Sequence, residues 1–308
     1  MAVLGLDTSN YTTSAAFFDG EGGRNIGKLL EVPGDALGLR QSEALFQHVR
    51  RLPQVIHALR EAGLPRKIDA VCASTRPRAA DGSYMPCFLA GECMGRGLAD
   101  ILRVPFYEIS HQQGHIAAAA WSAQHPELLD IPHLAWHLSG GTTELLLVKP
   151  EGAGVKATCV GGTSDISAGQ LIDRTGKLLG LQFPAGKKLD DLAGSSDKVI
   201  YYTIKINGFC FSLSGVENKI KVLADAGEQP RVIARYAMET VALAVRRVTD
   251  AAQKHWLGLP VLCSGGVASS SLLRAQMGDA VFAPPEYSTD NAMGSAILGW
   301  RMMQRGET

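Results

Sequence analysis

Leu134-Ala135-Trp136-His137-Leu138-Ser139-Gly140-Gly141-Thr142-Thr143-Glu144-Leu145-Leu146-Leu147-Val148 reads as a strand, a tight glycine turn and a returning strand, because two short apolar runs are punctuated by turn residues. The same pattern stands near the N-terminus. There residues 2–8, Ala-Val-Leu-Gly-Leu-Asp-Thr, pass through Ser9-Asn10-Tyr11-Thr12-Thr13 into Ser14-Ala15-Ala16-Phe17-Phe18. A unit written twice, about half the chain apart, implies two similar lobes facing each other rather than a solenoid, whose repeats are much shorter. Either turn alone is an ordinary β-hairpin. Such turns also offer backbone N–H groups and hydroxyls to phosphate oxygens, and the pair together points toward a nucleotide cleft.

A chain of 308 residues is long enough for two core-bearing lobes at about 100–200 residues per domain. Lys plus Arg is 30 and Asp plus Glu is 30, so no global charge advertises nucleic acid or membrane, and any such partner meets a local patch. No apolar run is long enough to span a bilayer, and the N-terminus lacks the basic start, apolar stretch and small-residue cleavage site of a signal peptide. The expectation is a cytoplasmic protein without a membrane partner. The six cysteines (72, 87, 93, 159, 210, 263) form no CxxC pair; they read as small core residues in a reducing compartment and as poor metal ligands.

Between the two copies, Gln41 to Ala62 carries Leu45, Val49, Leu52, Ile56 and Leu59 at helical spacing, which predicts a helix covering a sheet, with His48 and His57 on its surface. Ile68-Asp69-Ala70-Val71-Cys72-Ala73 is a strand, and the turn-rich loop after it holds Arg76 and Arg78, placed to meet an anion or simply solvated. Phe88 to Leu102 is a helix whose Gly91, Gly95 and Gly97 suggest close packing against another backbone. Beyond the second copy, Gln170 to Leu179 is a helix bearing Asp173, followed by a loop with Gly186, Lys187 and Lys188. Both Asp173 and Gly186 could face one cleft, and the lysines could hold an anion or stand in solvent. Residues 200–220 alternate strand and turn. Val232 to His255 is amphipathic, with Ile233, Tyr236, Ala237, Val241, Ala244, Val245 and Val248 on one stripe.

Chemistry concentrates at His111-Gln112-Gln113-Gly114-His115. Two imidazoles four apart share a helix face, about 5–6 Å between Cβ atoms, within reach of one metal ion. The alternative is one polar cap and one satisfied core histidine. Two ligands do not close a zinc or iron site. Near the C-terminus, Thr289-Asp290-Asn291 opens the last helix; Asp290 is either an N-cap or the carboxylate of a two-His-one-carboxylate site with open positions. Pro260-Val261-Leu262-Cys263 followed by Ser264-Gly265-Gly266-Val267-Ala268 and a helix is a further anion or adenosine site.

Taken together, Asp7-Thr8-Ser9, His111 and His115, Ser139-Gly140-Gly141-Thr142-Thr143, Gly169-Gln170-Leu171-Ile172-Asp173-Arg174, Pro184-Ala185-Gly186, Ser264-Gly265-Gly266-Val267 and Thr289-Asp290-Asn291 resemble the tRNA threonylcarbamoyladenosine transferase family, formerly labelled glycoproteases or peptidase M22. The corresponding family motifs are ETS, HxxxH, SGGHT, GEAFDK, PGG, GGVxxN and TDN. The resemblance implies an α/β chain of the two-lobed actin, sugar-kinase and Hsp70-like fold, with duplicated ribonuclease-H-like lobes. The lobes are expected at 1–110 plus 288–308 and at 111–287, with the active-site cleft between them. It further implies an acyltransferase that moves a threonylcarbamoyl group from threonylcarbamoyl-AMP, an adenine nucleotide, to the adenine beside the anticodon of tRNA, acting with partner proteins; an ATP-like nucleotide is the alternative occupant of the cleft. One divalent ion, Fe or Zn, would be held by His111, His115 and Asp290. Substrate would lie along His137, Leu138, Ser139, Gly140, Gly141, Asp173 and Gly186, with Ser270 at the position of the GGVxxN asparagine.

The departures fall on the nucleotide and tRNA faces. The SGGHT histidine is Thr142, the GGVxxN asparagine is Ser270, the glycine-rich AGPG loop is replaced by Ser74-Thr75-Arg76-Pro77-Arg78, and SGLKT reads Ser214-Gly215-Val216-Glu217-Asn218. Glu217 puts a negative charge where the family has none. A diverged paralogue with the same metal and nucleotide cleft but another acceptor is therefore a second expectation, and a non-catalytic nucleotide-binding partner protein a third. A peptidase is disfavoured because HxxxH lacks the glutamate base of HExxH. A sugar kinase would need a carboxylate base, for which Asp7 is the candidate, and gives the histidine pair no role.

Overall fold

The computed structural model describes residues 1–9, 11–32, 39–198 and 204–307. In chain order, strands β1 (Val3–Asp7), β2 (Thr12–Phe18) and β3 (Gly23–Leu29) precede α1 (Gln41–Glu61), β4 (Ala70–Arg76), α2 (Phe88–Leu102), β5 (Phe106–Ser110) and α3 (His111–Ser122). Next come β6 (His133–Leu138), β7 (Thr143–Glu151), β8 (Gly154–Thr163), α4 (Ala168–Leu178), α5 (Gly186–Gly194), β9 (Ile206–Asn207) and β10 (Cys210–Phe211). The chain finishes with α6 (Ser214–Asp225), α7 (Pro230–His255), β11 (Val261–Ser264), α8 (Ser271–Gln276), β12 (Val281–Phe282) and α9 (Met293–Arg305). Asn10 and residues 200–203, named in the expectations above, lie outside the described residues.

The chain divides into two units: Met1–Ile131 with Lys149–Ala157 and Tyr287–Thr308, and Pro132–Val148 with Thr158–Glu286. The first sheet has the order β3-β2-β1-β4-β5 and the second β12-β11-β6-β7-β8-β10-β9. In each, a central strand pairs antiparallel with its successor (β1 with β2, β6 with β7) and parallel with a strand reached by a crossover (β1 with β4, β6 with β11), and a further parallel strand follows (β5, β12). The repeated hairpin is thus the visible part of a repeated five-strand order. Among the described residues no helix is long and apolar enough to cross a membrane.

Helix α3, expected to open the second lobe, belongs to the first unit. The reason is its backbone contact with α9. A Cβ built on Gly294 would lie 1.8 Å from the carbonyl oxygen of Gly114, an approach only a glycine at 294 permits. The alanines that follow, Ala117 to Ala120, are buried as well. On α2, Gly91 and Gly95 face Thr8 and Phe106, whereas Gly97 faces open space.

Several sequence expectations shift register. Helix α1 buries Ala44, His48, Arg51, Leu52, Val55 and Leu59 and leaves Val49 exposed. His48 is no surface residue: its Nδ1 lies 2.8 Å from Thr13 Oγ1. Arg51 pairs with Glu31 at 2.7 Å. Helix α7 is buried without a break from Tyr236 to Ala242, so it is enclosed rather than one-faced, and Thr249 on it accepts the Trp136 indole N–H at 2.8 Å. The strand-and-turn pattern expected to 220 gives way to α6 at Ser214. Cys72, Cys87 and Cys263 are core residues, but Cys93, Cys159 and Cys210 are exposed.

Candidate functional site

The first unit gathers one polar cluster. Ser110 and Gln113 form a capping box at the start of α3, satisfying two of the free N–H groups there and fixing the helix entry. His111 is consequently the first helical residue and His115 stands one turn on, their ring centroids 4.2 Å apart. The cap is Ser110, so neither histidine is needed for that role. Asp290 is not a helix cap either, since the Met293 N–H is taken by Asn291 Oδ1 at 3.1 Å. Its Oδ1 instead lies 3.4 Å from His111 Nε2 and 3.3 Å from His115 Nε2.

A residue that sequence spacing could not attach to this cluster completes it. Asp7, at the C-terminal end of β1, is 2% exposed. Its Oδ2 lies 2.8 Å from His111 Nδ1 and accepts the Ser74 hydroxyl at 2.6 Å, while Oδ1 accepts the Ser9 N–H at 3.0 Å and the Ser9 hydroxyl. Burial opposes the Asp7 charge, but His111 and these hydrogen bonds hold its pKa below the usual carboxylate value. Burial likewise opposes charge on His111, yet Asp7 and Asp290 outweigh it and push the pKa up to about 10. For Asp290, burial is again outweighed, here by the two imidazoles, and the pKa falls far below the ordinary range.

His111, His115 and Asp290 could hold a metal ion: one ligand atom from each lies within 4.8 Å of the others. The two Nε2–Oδ1 separations match the roughly 3.3–3.5 Å edge of a tetrahedral site with ligands at about 2.0–2.1 Å. Three protein ligands leave a position open.

The second unit holds a pocket of about 670 Å³, its lining including Gly140, Asp173, Gly186, Lys187, Asp190, Asp191, Gly266 and Ser270, in the size range of small-molecule sites. Helix α4 starts on a second capping box, Ser167 with Gln170. The Ser167 hydroxyl donates to the Gly140 carbonyl at 2.6 Å, and the Ala168 N–H donates to Thr143 Oγ1 at 2.8 Å. A Cβ on Gly169 would meet the Gly140 Cα and the Ser139 carbonyl oxygen at 2.5 Å. The Ser-Gly-Gly turn is therefore seated on the start of α4. Of the residues expected along the substrate, Gly140, Asp173, Gly186 and Ser270 line the pocket; His137, Ser139 and Gly141 do not, and Leu138 is core.

Within the pocket, Asp173 Oδ1 accepts the Ala185 N–H at 2.9 Å and so shapes the loop before Gly186. The Ser270 hydroxyl donates to Asp190 Oδ1 at 2.7 Å and takes the Leu273 N–H at 3.3 Å, while Asp190 Oδ2 takes the Ser271 N–H at 2.9 Å. Asp190 and Asp191 escaped sequence reading; the one signal was their position just past the Pro-Ala-Gly loop. Of the two lysines, Lys187 lines the pocket. The Glu217 charge is compensated, with Arg174 at 2.8 Å and Lys221 at 3.0 Å. Arg76 lies 3.9 Å from Glu108.

Two sheets of repeated strand order define the actin, sugar-kinase and Hsp70-like class. The fold matches T. kodakarensis HypF with a TM-score of 0.63 at 15% identity, over 100% of this chain and 48% of that one. It also matches Acidaminococcus fermentans (R)-2-hydroxyglutaryl-CoA dehydratase component A at 0.56 and 14%, over 100% of both. Within this class the chain belongs to the tRNA N6-adenosine threonylcarbamoyltransferase family, whose model matches residues 38–297. Two proteins of that name, from two strains of Thermus thermophilus, are each 33% identical over 99% of this chain and over 94% and 93% of their own lengths.

Proposed function

We propose that the chain transfers the threonylcarbamoyl group of threonylcarbamoyl-AMP to the exocyclic amine of the adenine beside the anticodon of tRNA, with partner proteins. The amine nitrogen forms a bond to the carbamoyl carbon, the bond from that carbon to the phosphate oxygen breaks, AMP leaves and the amine loses a proton. The observation that carries this reading is the half-buried group of His111, His115 and Asp290, three ligands that would leave a position open. A divalent ion there, Fe or Zn, would supply Lewis-acid polarisation of the carbamoyl oxygen. The residues themselves hold the ligand atoms at fixed spacing before substrate arrives, so orientation costs little at the moment of reaction. Family membership supports the substrate class.

In the pocket of the second unit, Asp173, Asp190 and Asp191 would accept hydrogen bonds from ribose hydroxyls. Gly140, Gly186 and Gly266, without side chains, leave room for a flat base. Supplying the protein with threonylcarbamoyl-AMP and tRNA, alone and as isolated with its native partners, and digesting the tRNA to nucleosides tests this directly. Threonylcarbamoyladenosine in the digest is expected.

A second reading, the same donor with another acceptor, is favoured by one observation. Thr142 stands where the family has histidine. AMP release without modified tRNA would select it.

A further inference from the structure

We propose that Asp7 is a positioning residue for the histidine–aspartate group: its carboxylate holds His111 with the proton on Nδ1, leaving Nε2 as the ligand atom. This inference rests on the metal reading above. Three observations converge on it. Asp7 Oδ2 lies 2.8 Å from His111 Nδ1, and the opposite ring nitrogen, Nε2, is the one that faces Asp290 at 3.4 Å. The carboxylate is itself fixed, through the Ser74 hydroxyl on Oδ2 and the Ser9 N–H and hydroxyl on Oδ1. Asp7 is 2% exposed, and its contacts are with His111, Ser74 and Ser9 rather than with solvent.

The chemistry explains why such a device is useful. A neutral imidazole can carry its proton on either nitrogen, and a metal ligand is competent only in the tautomer that leaves the facing nitrogen bare. A carboxylate accepting the far N–H selects that tautomer, locks the ring plane and raises the ligand's basicity; losing such a partner typically weakens metal affinity about 10–100-fold. The His111 ring is thus oriented by a neighbour 104 positions away in the chain.

The test uses Co(II) titrated into metal-free full-length protein, followed by its visible absorption, for wild type, Asp7→Asn and His115→Ala. We expect one ion per wild-type chain. Asp7→Asn should keep that stoichiometry, bind about 10–100-fold more weakly and show an altered absorption band, because the His111 ring is no longer held. A merely structural role would lower stability and leave the band unchanged. Wild-type affinity and an identical band in Asp7→Asn would overturn the proposal. Wild type that binds no Co(II), or binds it undiminished in His115→Ala, would overturn the metal reading and the role of Asp7 with it. Should Asp7→Asn fail to fold, ¹⁵N-histidine NMR of wild type with Zn(II) decides: an Nδ1 proton on His111 with the shift change on Nε2 is expected, and metal on Nδ1 contradicts.

Discussion

Gly294 stands against Gly114 so closely that a Cβ on Gly294 would meet the Gly114 carbonyl oxygen at 1.8 Å. The contact joins the helix carrying both histidines to the helix that follows Asp290, so the spacing of the three ligand atoms depends on the missing side chain of Gly294. Gly294→Ala must separate the helices; overpacking of this kind costs about 1–3 kcal/mol or more, and metal affinity should fall with it. Gly114→Ala meets only the Ile109 Cδ1 at 3.3 Å and should be milder. Chemical denaturation of both variants, each paired with a Co(II) titration, checks the contrast; equal effects would contradict it.

Asp7 and Asp290 hold a proton on His111, whose pKa is pushed up from 6.5 to about 10. A raised pKa in the folded state adds stability that is complete below about 6.5 and disappears as pH rises through about 10. For Asp7 and Asp290 the shift is downward from 3.8, so their contribution is present above that value and is lost as pH falls below it. Metal-free protein should therefore be most stable in the interval between, losing stability on both sides. Metal binding at pH 8 must displace the His111 proton from Nε2. Calorimetry in two buffers of different ionisation enthalpy should report release of at least one proton per ion, and none would contradict the assignment.

One oxygen of Asp173 takes the Ala185 N–H at 2.9 Å, a task an amide oxygen can perform, and in the proposed site the charge would be left for ligand. Asp173→Asn should fold normally and bind AMP about 10–100-fold more weakly, the loss expected for a charge-assisted hydrogen bond of about 1.5–3 kcal/mol. Asp173→Ala should lose the loop as well, with a lower Tm. Equal AMP affinity in wild type and Asp173→Asn would remove Asp173 from the site.

The duplicated hairpin was legible because apolar runs and turn residues are local signals, whereas the parallel crossover strands that complete the repeated order pair over long stretches of chain. The histidine pair was legible because four-residue spacing on a helix fixes neighbours. Asp7 was visible as an acidic residue at a strand end, but its link to His111 spans 104 residues, beyond any local pattern. The same holds for Asp190 and Ser270, 80 residues apart. On α1, hydrophobic spacing pointed to Val49, while the buried face carries His48 and Arg51; their partners, Thr13 and Glu31, lie on other segments, and a satisfied polar side chain can be buried as well as an apolar one. Glu217 looked like an uncompensated charge until Arg174 was placed beside it.

The most direct measurement is the metal content of protein purified in metal-free buffer and reloaded with one equivalent of Fe or Zn, for wild type, His115→Ala and Asp290→Ala, with AMP release from threonylcarbamoyl-AMP on the same samples. About one ion per wild-type chain is predicted, lost in both variants together with AMP release. Wild-type metal content and AMP release persisting in Asp290→Ala would contradict the account.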